Sequence, residues 1–284
     1  MKKAPEKATE NIFVTTVMGE KYTRIYNETF RPSQERFIQK IGADFYIIDD
    51  IIERSPNHSH PSWQKMLMFR LPEIASHKRA LFVDADVYIT RHARNPFEVV
   101  GDVPWSVADN NAYGVKYFAD NDPKLYAHCP PNNRPSMMLN LGVYIVTEES
   151  RSALEKVFYD YKEQPCYDNG PASYHLLNGP KGKILPSEFN TLVLAYLMAY
   201  GRGLSVMLRM YKEASFLHFA GGPTKSLPML PLVRYIDTHP DSLLTRMIFF
   251  FGKPKYDRIT EPLMRAIAKV MTVYAYHIKR RFAR

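Results

Sequence analysis

The chain has 284 residues, of which 45% are hydrophobic and 24% charged. That is enough for one large core or two small ones. No apolar run of about 18 residues occurs, so no spanning helix is expected. Two isolated cysteines, Cys129 and Cys166, exclude a disulfide framework and match no zinc motif. The net charge of +9 is placed unevenly: residues 246–284 hold ten Lys or Arg against Asp257 and Glu261, and so carry +8 of it.

The opening MKKAPEKATE lacks the apolar stretch of a secretory signal, and a cytoplasmic protein is expected. Residues 11–17 (NIFVTTV) predict a first strand, ended at Met18-Gly19. A helical pattern follows to Ile41, interrupted near Pro32, and 44–48 (DFYII) is a second strand. Over 63–74 the apolar residues Trp63, Met66, Leu67, Phe69, Leu71 and Ile74 fall at helical spacing. Residues 79–89 (RALFVDADVYI) read as a third strand. This alternation of strand and helix predicts an α/β fold with a mainly parallel sheet flanked by helices.

Further strands are expected at 103–108, 137–146 (interrupted at Asn140 and Gly142) and 215–220, and a loop over 110–135. Helices are expected at 151–163, behind Ser150 as N-cap, at 174–177 and at 188–200. After Thr238 the composition changes. The expected division is a catalytic domain over 1–240 and a basic, amphipathic, helical C-terminal region over 241–284.

The chemistry centres on Asp84-Ala85-Asp86. Residues two apart in a strand share a face, so the two carboxylates repel, and burial adds a desolvation cost. A divalent cation removes both problems, and hard oxygen ligands suit Mg²⁺ or Mn²⁺ bound together with substrate phosphates. Ligands of open α/β sheets gather at the carboxyl ends of the strands. An Asp-x-Asp by itself is short and common, and a plain turn after a strand is the competing reading.

Four other stretches accompany it: Thr15-Thr16 with Gly19 and Tyr22; Asn140-Leu141-Gly142; Leu185 through Asn190 (LPSEFN); and His218-Phe219-Ala220-Gly221-Gly222 with Lys225 beyond. In this order the five resemble the landmarks of GT-A glycosyltransferases, in particular the retaining glycosyltransferase family 8, over roughly residues 11 to 226. The resemblance implies a GT-A Rossmann-like fold and a metal-dependent, retaining transfer of a hexose from a UDP-sugar to a saccharide or lipid-linked glycan acceptor. It implies that Thr15, Thr16 and Tyr22 hold the uridine, Tyr22 by stacking on the base. Lys65 would approach the donor sugar or phosphate, with Arg70 as its rival. Asp84, Ala85 and Asp86 would meet the donor. Asp84, Asp86 and His218 would ligate Mn²⁺ (or Mg²⁺), and Asn140 would touch the donor sugar. Gly221 would let the backbone approach the diphosphate, and Lys225 would neutralise it.

The sequence departs from that family where an Asp-Gln pair is expected before a Leu-Asn. Leu177-Asn178 is present, but Ser173-Tyr174 stands in place of the pair. Asp168-Asn169 lies five residues earlier and is the candidate to replace it as the catalytic carboxylate facing the anomeric carbon. His58 and His60 (NHSHPSW) read as a loop rather than a metal pair. Two rival classes stay open. One is a haloacid dehalogenase-type phosphatase with Asp84 as nucleophile and Asp86 as acid/base, which expects Thr or Val where Tyr88 stands. The other is a non-catalytic basic module that binds membrane or nucleic acid.

The C-terminal region supplies the partner expectation. Residues 247–251 (MIFFF) form an apolar knot, and Leu263, Ile267, Val270, Met271, Tyr274 and Ile278 fall at amphipathic spacing beside basic residues. Basic residues with aromatics suit an anionic leaflet, which gives a peripheral position on the inner face of the membrane. A helix packed on the domain with a solvated basic face is the plain alternative, and nucleic acid is the weakest reading of the same charge.

Overall fold

A computed structural model describes residues 9–109, 129–162, 168–220, 229–254 and 260. The expected loop over 110–135 falls largely outside the described residues, as do Cys166, Gly221, Gly222, Lys225 and almost all of the basic segment beyond 254.

The N-terminal part alternates as the sequence predicts: β1 (Asn11–Thr16), α1 (Glu20–Ile25), a π-helical turn (Tyr26–Phe30), α2 (Arg31–Ile41) and β2 (Asp44–Ile48). The helix interruption lies just before Pro32, where the π turn hands over to α2. Gly42 ends α2 in the left-handed conformation (φ 63°), which glycine adopts without a Cβ penalty. A 3₁₀ helix (Pro61–Arg70) and the short α3 (Pro72–Ala75) follow. The single helix expected over 63–74 is thus two pieces, parted at Pro72, whose ring cannot continue the preceding helix.

The stretch RALFVDADVYI is two strands, not one: β3 (Arg79–Val83) and β4 (Val87–Ile89). They belong to different sheets, and Asp84-Ala85-Asp86 is the turn between them. After α4 (Pro96–Val100) come β5 (Trp105–Asp109), β6 (Leu139–Val146), α5 (Arg151–Asp160), α6 (Asn169–Leu177) and β7 (Lys183–Leu185). The expected helix over 188–200 divides into a 3₁₀ turn (Ser187–Asn190), the two-residue β8 (Thr191–Leu192) and α7 (Val193–Tyr200). The chain continues through α8 (Leu204–Glu213), β9 (Phe216–His218), α9 (Met229–Thr238) and α10 (Leu243–Phe251). The helix α8 has no counterpart in the sequence reading.

The main sheet has the order β2-β1-β3-β6-β5-β7. Five strands run one way, and β6 runs against β3 and β5. The small sheet is β4-β9-β8. Period-2 alternation divides the buried residues of the central strands between two cores. Ile12, Val14, Ala80, Phe82, Tyr144 and Val146 face the 3₁₀ helix, α5 and α6. Phe13, Leu81, Val83, Val143 and Ile145 face α2 and α4. Both faces are covered, so these strands read as nearly unbroken apolar runs. A third core joins the small sheet to α7, α8 and α9.

Pairing of β5 with β6 slips between Val107 and Ala108: Val107 opposes Tyr144, whereas Ala108 opposes Asn140. Such irregularities gather beside functional sites. This one frees backbone groups of Leu141 and Gly142 for the contacts described next.

Candidate active site

The turn at the end of β3 is held from both sides. The Asp84 backbone N–H donates to Gly142 O (2.7 Å), and Val87 N–H donates to Asp84 O (3.1 Å). From α2, the buried Gln34 amide donates to Val87 O (3.0 Å) and Asp84 O (3.4 Å). Phe219 N–H donates to Asp86 O (3.0 Å), and Val87 pairs with His218 across β4 and β9. The small sheet therefore carries His218 to the two aspartates, 132 residues away from Asp86 in the chain.

His218 Nε2 lies 3.3 Å from Asp86 Oδ1 and 3.8 Å from Asp84 Oδ2. One ligand atom from each of the three residues falls within 4.8 Å of the others. Two carboxylates and an imidazole are a donor set that could hold a divalent cation. His218 is buried, while the Asp84 and Asp86 side chains keep 31% and 18% of their surface. A cation held there would keep coordination positions on the open side. Burial, reinforced by Asp86 and opposed by Lys65, pushes the Asp84 carboxyl up to about 6. Two neighbouring carboxylates and partial burial, which Lys65 offsets only in part, are conditions that a metal ion relieves.

Lys65, on the 3₁₀ helix, is 3% exposed, which a lysine tolerates only when paired. Its Nζ donates to Leu141 O (3.0 Å) and lies 3.0 Å from Asp168 Oδ2 and 3.7 Å from Asp84 Oδ1. Burial alone would lower its pKa, but Asp168 and Asp84 outweigh that and hold the ammonium above its ordinary value. Arg70, the rival, is turned to the surface between Glu53 and Glu155.

Asn140 and Asn190 form a polar bridge beside Asp84, Asp86 and His218. Asn190 Nδ2 donates to Asn140 Oδ1 (2.9 Å) and Asn140 O (3.2 Å). Asn140 Oδ1 also accepts from Gly142 N (3.0 Å), and Asn190 Oδ1 faces His218 Nδ1 at 2.9 Å. Gly142 is required here: a methyl group on it would lie 2.1 Å from His218 Cε1.

These residues floor a cleft of about 570 Å³. It is lined by Thr16, Tyr22, Lys65, Asp84, Ala85, Asp86, Asn140, Asp168 and His218 among the residues singled out from sequence. Thr16 Oγ1 has no hydrogen-bond partner among the described residues. Thr15, its neighbour on β1, is fully buried and does not line the cleft. Gly221 and Lys225 lie outside the described residues.

Ser173-Tyr174 plays no part in the cleft: Ser173 Oγ accepts from Leu139 N (2.8 Å) and donates to Asn169 O (2.6 Å), and Tyr174 belongs to the core. Asp168, just before α6, occupies the cleft instead, and Asn169 Oδ1 accepts from Leu141 N (3.0 Å). His58 stacks on Trp63 (4.3 Å between centroids) and binds Phe158 O. His60 accepts from Ser62 N at the start of the 3₁₀ helix. The two rings are thus held by different partners, as a loop reading expects.

Asn190, Asn169 and Gln34 carry contacts that sequence reading did not assign. Asn190 closes the LPSEFN stretch, which stood out in the sequence without a role. Gln34 gave no signal, because a single glutamine on a helix has no pattern.

No protein-family model matches the chain, and no curated protein sequence matches it. Solved structures do. A glycosyltransferase involved in glycosylation of the major capsid of PBCV-1 matches with a TM-score of 0.50 at 15% identity, over 75% of this chain and 95% of that one. The WbbM bifunctional glycosyltransferase matches with a TM-score of 0.52 at 11% identity, over 87% of this chain and 52% of that one. At such identities the likeness is one of architecture. With a mainly parallel sheet, helices on both faces and the Asp-x-Asp turn at its carboxyl edge, the chain has the GT-A glycosyltransferase fold.

Proposed function

We propose that this chain is a metal-dependent glycosyltransferase that moves a hexose from a UDP-sugar to a saccharide or lipid-linked glycan, with retention of configuration. The observation that carries the reading is the meeting of Asp84, Asp86 and His218 within 4.8 Å on the floor of the cleft. Fold likeness and the ordered motifs favour a sugar nucleotide as the ligand. Retention rests on the family resemblance.

In this reading Thr16 and Tyr22, which line the cleft, hold the uridine, with Thr15 behind them in β1. Asp84, Asp86 and His218 hold Mn²⁺ or Mg²⁺, with Ala85 against the donor. Asn140 contacts the sugar, and Gly221 and Lys225 serve the diphosphate. When bound, the cation supplies positive charge that stabilises a departing diphosphate.

The transition state is oxocarbenium-like. The bond from the anomeric carbon to the phosphate oxygen breaks as the acceptor hydroxyl attacks the same face, and the acceptor proton passes to the departing oxygen. Asp168 places negative charge beside that cationic state. Its ion pair with Lys65 and its 5% side-chain exposure favour this electrostatic role over attack as a nucleophile. The phosphatase alternative is disfavoured because the third group at Asp84 and Asp86 is an imidazole rather than a carboxylate.

The reading of a membrane-bound acceptor draws on the exposed apolar face of α10. That helix exposes Leu243, Leu244, Met247, Phe250 and Phe251, and Arg246 and Lys253 add positive charge nearby. No helix among the described residues is long and apolar enough to cross a membrane. Peripheral docking of this helix to an anionic leaflet would hold the protein at a surface where a lipid-linked acceptor is found. Removal of residues 243–284 should abolish partition onto anionic liposomes, and unchanged partition would refute the docking. The donor is tested by a panel of nucleotide sugars assayed for hydrolysis with Mn²⁺. Turnover of UDP-hexoses is expected, and turnover of none would overturn the reading.

A further inference from the structure

The bridge of Asn140, Asn190 and His218 begins at a backbone N–H, and that fixes the direction of every bond along it. Gly142 N–H can only donate, so the Asn140 atom that receives it at 3.0 Å is Oδ1, an acceptor. That same Oδ1 lies 2.9 Å from the Asn190 amide, and the backbone carbonyl of Asn140 lies 3.2 Å from it. Two acceptors require the Asn190 amide to present its NH₂ group to them. Its carbonyl oxygen is then turned to His218 Nδ1 at 2.9 Å. An oxygen there accepts only, so Nδ1 carries the proton. The neutral ring is left with its lone pair on Nε2, the atom that faces Asp86 and Asp84 at 3.3 and 3.8 Å.

The carboxylates alone would favour the other tautomer, with the proton on Nε2 between the ring and Asp86. That tautomer offers no lone pair to a cation. We infer that Asn190 is a positioning residue that holds His218 in the Nδ1–H tautomer and so makes its Nε2 a metal ligand. Its partner across the bridge, Asn140, is the residue assigned to the donor sugar, so one buried amide braces the metal side and the sugar side of the cleft. The metal part of this inference rests on the glycosyltransferase reading, whereas the tautomer does not. A hydrogen-bonded outer partner of this kind orients a ligand histidine, and its loss commonly costs 10–100-fold in metal affinity.

The test is the His218 tautomer, read from ¹⁵N-labelled protein by long-range ¹H–¹⁵N correlation with the ring neutral, without metal and with diamagnetic Mg²⁺. Wild-type protein is expected to show Nδ1–H in both states. Asn190→Ala should release the proton to Nε2 and weaken Mn²⁺ binding, measured by titration calorimetry, by about 10–100-fold. Asn190→Asp still offers an acceptor to Nδ1 and should keep the wild-type tautomer. An Nε2–H tautomer in the wild-type protein, or an unchanged tautomer in folded Asn190→Ala, would overturn the inference. If Asn190→Ala does not fold, the wild-type and Asn190→Asp tautomers decide it. Failure of the wild-type protein to bind Mn²⁺ would instead overturn the functional reading and leave the tautomer to stand or fall by the spectra.

Discussion

Lys65 Nζ lies 3.0 Å from Asp168 Oδ2, and both side chains are about 95% removed from solvent. The pair ties the 3₁₀ helix to the start of α6 across the end of β6, with Leu141 O as the lysine's second partner at 3.0 Å. A buried ion pair adds little to stability as a unit, but removal of one member strands the other charge. Lys65→Met should therefore destabilise the protein by about 3–5 kcal/mol. The double variant Lys65→Met/Asp168→Asn should recover a large part of that. Chemical denaturation of the four proteins closes the cycle, and additive losses would show that the two groups do not interact.

Asp84 predicts a pH trend of unusual sign. Its carboxyl stands at about 6 in the fold against about 3.9 in an unfolded chain. Between those values the folded state binds a proton that the unfolded state does not, so this group's contribution to stability falls as pH rises. In metal-free protein it favours the fold at about pH 4.5 relative to pH 7. His175 acts oppositely in an overlapping window: burial lowers its pKa, so the unfolded chain takes up the proton first and stability is lost on acidification. The clean observable is the difference in Tm between wild type and Asp84→Asn. The variant should be the more stable at pH 7, with its advantage shrinking toward pH 4.5. A difference that does not change with pH would contradict the raised carboxyl.

Gly142→Ala tests how tightly His218 is seated. The added methyl group would meet His218 Cε1 at 2.1 Å and Asn140 Oδ1 at 3.0 Å. Overpacking of this kind costs about 1–3 kcal/mol. Because the ring must yield, Mn²⁺ affinity should fall by about tenfold or more. Calorimetric titration that returns wild-type affinity in a folded variant would show that His218 is not a ligand.

Much of this site was legible in the sequence because its chemistry sits in short motifs at strand ends. The apolar runs NIFVTT and RALFV gave β1 and β3, since strands covered on both faces lack polar residues to break the pattern. Asp84, Asp86, Asn140 and His218 stood out as polar residues inside or beside such runs. What escaped was set by distant contacts. The break of RALFVDADVYI into two sheets depends on distant partners, since β3 pairs with β6 whereas β4 pairs with β9. The register slip beside Asn140 and the bracing by Gln34 likewise have no local signature. The helix expected over 188–200 is shorter because its first residues instead follow the edge of β9, whereas α8 does carry a helical signature, Leu204, Met207, Leu208 and Tyr211 on the buried face and Arg209 and Lys212 on the exposed one. Asp168 could be proposed as a substitute for the missing acid-amide pair, but only the fold shows that it reaches Lys65.

In the proposed function, Asp84, Asp86 and His218 hold a divalent cation on which turnover of a sugar nucleotide depends. The most direct measurement is UDP release from UDP-hexoses by metal-stripped protein, with and without added Mn²⁺, in wild type and Asp86→Ala. Release is expected only with Mn²⁺, with a fall of about 10²–10³-fold in Asp86→Ala, as the loss of several kcal/mol of charge stabilisation entails. Metal-independent release by the stripped wild-type protein, or full activity in Asp86→Ala, would contradict it.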